Sequence, residues 1–120
     1  MTYKSNGLSI STYKNGTSPY SIELDNDTAV IGTDVNGGGY TTDTLKRISA
    51  VKVTVFEGNS DISNDCEYSW SVTGGTLNTE EGRENCFTSL GDNNDATATV
   101  AVTKEGTSLG SKEFTISKNK

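Results

Sequence analysis

The chain has 120 residues, 31% of them hydrophobic, with 16 Asp and Glu against 10 Lys and Arg, a net charge of −6 and no histidine. That length suits one domain with a thin core; Lys46-Arg47 is the one adjacent basic pair, which speaks against nucleic acid as a partner, and no apolar run approaches the roughly 18 residues that insert in a membrane. Without histidine there are no Ser-His or Cys-His nucleophile pairs and no ordinary zinc site, so a non-catalytic domain with no cofactor and no metal is expected.

Thirteen glycines and one proline, with few Leu and Ala, favour short strands and turns over helices. Residues 1–19 hold two Asn-Gly pairs and only Leu8 and Ile10 in alternation, which predicts a flexible linker or a weak edge strand. Order is expected from "YSIEL", where Tyr20, Ile22 and Leu24 alternate with polar residues and Pro19 suits the entry to an edge strand. The expected domain spans residues 20–118. A short apolar step at Ala29 to Ile31 precedes "TDVNGGGY", whose three glycines mark a loop. Asp34 and Asn36 open like a calcium loop, but Gly38 stands where an oxygen ligand belongs and Leu45 where the closing Glu belongs. "TTDTLKRI" offers a single helical turn near Leu45 and Ile48.

In "ISAVKVTVFEG", Val51, Val53 and Val55 share one face of a half-buried strand. A polar loop, "GNSDISND", leads to "CEYSWSV", where Cys66, Tyr68, Trp70 and Val72 have one parity. Cys66 therefore reads as a small buried hydrophobe; a bridge to Cys86, the alternative, would contribute roughly 3 kcal/mol. After the "TGG" turn come short strands at Thr76-Leu77 and "CFTSL", separated by polar "NTEEGREN". Asp92, Asn93, Asn94 and Asp95 are good turn residues ahead of a clean alternation, with Ala96, Ala98, Val100 and Val102 on one face. The turn explains the acidic cluster better than a cation site. "KEGTSLG" then turns into "SKEFTISK", with Phe114 and Ile116 inward. About seven antiparallel strands with turns every 8 to 12 residues predict an all-β fold, an immunoglobulin-like β-sandwich, with antiparallel barrels second.

Two stretches carry a family resemblance. "EYSWSV", "NDATATVAVT" and "KEFTISK" resemble the back half of an immunoglobulin-like domain, with Trp70 as the core tryptophan. The antibody-type tyrosine and cysteine are missing at the matching places, Ala98 and Val100, so the resemblance is to bacterial and phage modules. "NGTSPYSIELDNDTAVIGTDVNG" followed by "VKVTVFEG" resembles the start of immunoglobulin-like modules in phage and prophage tail and tail-tip proteins. The resemblance implies a structural or binding module of the virion tail, made in the bacterial cytoplasm, with other tail-protein domains or copies as partners and host-surface glycan as a ligand class.

Two other functions compete: a carbohydrate-binding module and an adhesin repeat on a bacterial surface. Sugar recognition needs an exposed aromatic platform. Tyr13, Tyr20, Tyr40 and Phe87 are the aromatics least committed to the core, and Tyr40, beside the glycine run, is the best single candidate. An immunoglobulin-like topology would bring the loops at 59–65 and 104–110 to one end, making Asn59, Asp61, Asn64, Asp65, Lys104 and Thr107 candidate contact residues.

Overall fold

The computed structural model describes residues 19–120. Along them run β1 (Tyr20–Leu24), β2 (Thr28–Gly32), α1 (Thr42–Ile48), β3 (Val51–Glu57), β4 (Ser60–Asp61), a 3-10 turn (Ser63–Asp65), β5 (Glu67–Thr73), β6 (Gly75–Leu77), β7 (Glu84–Asn85), β8 (Phe87–Leu90), β9 (Asp95–Lys104) and β10 (Thr107–Asn119). The described residues are all-β apart from α1 and the 3-10 turn. The expectations for residues 1–18, including Tyr13, lie outside the described residues.

One sheet has the order β2-β10-β9-β5; a second joins β1, β3 and β4, with β7 also on β3; β6 and β8 form a third pair. Alternation explains which faces meet. Val51, Val53 and Val55 of β3, Ala96, Ala98, Val100 and Val102 of β9, and Phe114 and Ile116 of β10 are all buried and share one core. Ala98 lies directly opposite Phe114, a small residue beside a large one on the same face.

Among the described residues the pairings are antiparallel with one exception. β2 runs parallel to β10, with Ala29 beside Ile116, which corrects the expectation of antiparallel strands throughout. Its cause is the course of the chain: the side chain of Ile22 lies beside Gly110, and Thr28 beside Thr115. The chain thus advances along β10 in one direction, stepping from one sheet to the next at residues 25–27 without reversing.

α1 is longer than the single turn expected. Thr41 caps it by accepting a hydrogen bond from the Thr44 amide at 3.1 Å, Asp43 stands in its first turn, and Lys46 and Arg47 in its last, each favoured by the helix dipole. Its apolar content is small, and Leu45 fixes it by burying completely. Just past its end, Ser49 is also fully buried; its hydroxyl donates to the Leu45 carbonyl at 2.5 Å and accepts from the Phe87 amide at 2.8 Å. Ser49→Ala leaves that buried amide without its acceptor, and a loss of about 1–3 kcal/mol is expected in chemical denaturation. A cost below half that would mean that water replaces the hydroxyl.

The β9–β10 hairpin closes through Glu105 and Gly106, both with positive φ (52° and 82°). Two central residues of that sign make the type I′ turn that matches strand twist. Glutamate is poorly suited to this conformation. Glu105→Asn is therefore expected to stabilise the protein by about 0.5–1 kcal/mol, seen as a raised unfolding midpoint.

Candidate functional site

The sequence candidates divide between the two ends of the long hairpin. Lys104 closes β9 at one end, where its ammonium lies 3.9 Å from the Glu57 carboxylate at the end of β3. That contact brings the 104–110 turn beside the β3–β4 turn, so the loops carrying Asn59, Asp61, Asn64, Asp65, Lys104 and Thr107 share one end. The pair itself is loose and partly exposed, so it orients the loops weakly. Asn59, Asn64, Asp65 and Thr107 are exposed.

Asp61 is exposed too but already engaged. Its carboxylate accepts from the Ser63 hydroxyl at 2.6 Å and the Ser63 amide at 2.9 Å. Those two bonds, the hydroxyl's first, hold the carboxyl below its ordinary pKa. Ser63 in turn is buried: its hydroxyl accepts from the Val55 amide at 2.8 Å and its carbonyl from the Tyr68 hydroxyl at 2.7 Å. What reads as a polar loop is anchored by this network and by buried Ile62. Polarity hid that anchor, although the isolated Ile62 was its one apolar signal.

Tyr40 stands at the other end. Its hydroxyl donates to the Leu90 carbonyl at 3.4 Å and accepts from the Leu90 amide at 3.2 Å, and its ring packs half-buried against the core. β9, ten residues long, separates Asp95 from Lys104, or about 30 Å at the rise of a strand. Tyr40 and the loop residues are therefore not parts of one site. Phe87, another aromatic taken as uncommitted, is wholly buried, with its ring centroid 6.0 Å from that of Phe114; its short strand carries no sign of which face lies inward. Val72, which shares parity with Trp70, is by contrast exposed.

The first acidic loop is a turn built on its own backbone, and the second is a bend held from β10. The Asp34 carboxylate accepts from the amides of Asn36 and Gly38, both at 2.9 Å. The Gly38 bond first, then that of Asn36, lowers its pKa. A Cβ at Gly39, whose φ is +82°, would stand 3.2 Å from the same carboxylate, so glycine is what lets the loop wrap it. Around Asp92, the chain is held by the Lys118 ammonium on the Gly91 carbonyl at 2.7 Å and the Lys118 amide on the Asn94 carbonyl at 2.8 Å. Among the described residues, no three or more Cys, Asp or Glu side chains converge as a metal would require.

Because folded Asp34 and Asp61 have lowered pKa values, each contributes stability above the ordinary carboxylate pKa and loses it as the pH falls through its folded value. Carboxyl carbon shifts are expected to place both titrations below the ordinary aspartate range. Titration of Asp34 within that range would contradict the amide bonds drawn for it.

Cys66 and Cys86 are both free and half-buried, so no bridge links the Trp70 strand to β8. Cys66 Sγ contacts the Ile62 carbonyl at 3.4 Å. Burial pushes both thiols above the usual value, which keeps them weak nucleophiles. Cys86 lines a shallow depression of about 450 Å³ with Lys46, Arg47, Asn78 and Glu84. The charges there are mixed, and the sequence did not mark it because α1 and residues 78–86 meet only in the fold.

No family model matches the chain, and comparison with curated proteins and with solved structures gives no match.

Proposed function

We propose that the chain is a non-catalytic immunoglobulin-like module of a phage or prophage tail protein, whose loops at the Lys104 end contact a host-surface polymer. The observation that carries this reading is strand order. With β1, β3, β5, β6, β7–β8, β9 and β10 as the seven consecutive strands of such a domain, the third, sixth and seventh lie side by side, as β5-β9-β10 do. The first, second and fifth likewise follow β1-β3-β7, and the fourth pairs with the fifth through β6 and β8. Trp70 then sits on the third strand with its indole N–H donating to the Gly82 carbonyl at 2.8 Å, in the position of the core tryptophan of that fold. β2 and α1 are additions between the first two strands.

The tail assignment rests on the resemblance of residues 15–37 and 51–58 to tail modules, and the ligand reading on the clustering of exposed Asn59, Asn64, Asp65 and Thr107 on neighbouring loops. The test is a screen of soluble cell-wall polysaccharide fragments against the protein by NMR. Shifts confined to residues 57–65 and 103–108 are the expected result. If no shift arises at millimolar fragment, or if shifts centre on Tyr40, the loop end is not the contact surface.

A further inference from the structure

Among the described residues, β2 ends its sheet and is paired on one side only. Thr115 donates to the Asp27 carbonyl and Thr33 to the Asn119 carbonyl. Asp27, Ala29, Ile31 and Thr33 therefore turn their backbone groups to β10, and by the alternation of a strand Thr28, Val30 and Gly32 turn theirs outward. All three are exposed. Val30, with 63% of its surface exposed, is one of the few large apolar side chains left in solvent among the described residues. Proteins usually guard such an edge with lysine, proline or a bulge. The stretch Thr28 to Thr33 has neither lysine nor proline, and its register with β10 is unbroken.

We infer that this edge is a self-association surface, on which β2 of a second copy pairs antiparallel about a twofold axis through Val30. The sequence suits that register. Val30 meets Val30, Thr28 meets Gly32 and Ala29 meets Ile31, so inward residues stay on the inward face of a sheet that continues through both copies. The flanking charges fit as well: Asp27 falls opposite Thr33, and Asp34 opposite Asn26, so no carboxylates oppose each other. Parallel pairing in register would instead set Asp27 beside Asp27, a like-charge contact that disfavours it. Exposed β-branched Val30 then stacks on its counterpart, which accounts for its exposure in the single copy. This pairing is independent of the ligand reading, because the loops at the Lys104 end take no part in it.

Sedimentation equilibrium of the full chain, with amide exchange measured by NMR at several concentrations, tests the inference. The expected result is a reversible dimer whose amide protection at Thr28, Val30 and Gly32 rises with concentration. Val30→Lys, which sets like charges face to face on the axis, is expected to weaken dimerisation about tenfold or more while leaving the remaining amide spectrum unchanged. A monomer at millimolar concentration overturns it. So does a dimer that Val30→Lys leaves intact, and so does edge protection that persists unchanged at concentrations where sedimentation shows only monomer. If Val30→Lys fails to fold, the concentration dependence of exchange in the unaltered chain decides alone.

Discussion

Phe87→Ala is expected to lower stability by about 3–5 kcal/mol, read from urea unfolding. The ring is wholly buried, it meets Phe114 in a tilted contact at 37°, and its amide is tied to Ser49. Removing it opens a cavity where β8, β10 and the end of α1 converge, and the backbone bond to Ser49 limits how far β8 can collapse into the space. Phe87→Leu keeps much of the volume and is expected to cost less, about 1.5 kcal/mol. For a chain with a core this thin, the alanine loss is a large part of its total stability. A cost near 1 kcal/mol for Phe87→Ala would place the ring at the surface and refute the packing of β8 against α1.

The second large effect is expected at Gly74, the corner where the chain leaves β5 for β6 in another sheet. Its φ is +83°, and an added Cβ would stand 2.7 Å from the Asp95 carbonyl oxygen and 3.2 Å from the Ala96 Cα. Both obstacles are backbone, so neither can rotate away. Gly74→Ala therefore combines left-handed strain with a clash against β9, and about 2–4 kcal/mol is expected. Gly82 separates the two causes: its φ is +98°, but nothing stands within 4 Å of its added Cβ. Gly82→Ala carries the strain alone and should cost about 1–2 kcal/mol. Equal losses at both positions would show that the close approach of Gly74 to Asp95 is not a tight contact.

These two residues also mark how far the sequence could be read. The strand of Phe87 was legible, but its four residues carry too little alternation to say whether Phe87 or Thr88 faces inward. The "TGG" turn was legible as well, because glycine pairs break strands. That the turn changes sheets, and that β9 passes against it, depends on Asp95 and Ala96, more than twenty positions away. The candidate residues behaved similarly. Asp61 has the composition of a surface loop, and only the fold supplies the Ser63, Val55 and Tyr68 groups that fix it. Tyr40 reads as an exposed aromatic beside glycines until Leu90, fifty residues on, engages its hydroxyl.

The sequence by itself determined the all-β class, most strand cores, the turn built on Asp34 and the burial of Trp70 and Phe114. Each follows from short-range causes: alternation with period two, the φ > 0 tolerance of glycine, and the side-chain-to-backbone bonds of Asp and Asn. Tertiary structure decided the parallel seating of β2 on β10, the length of α1, the separation of Tyr40 from the loop candidates and the open edge at Val30. Those depend on which distant strands meet, and a pattern of period two fixes which face of a strand is apolar without naming its neighbour.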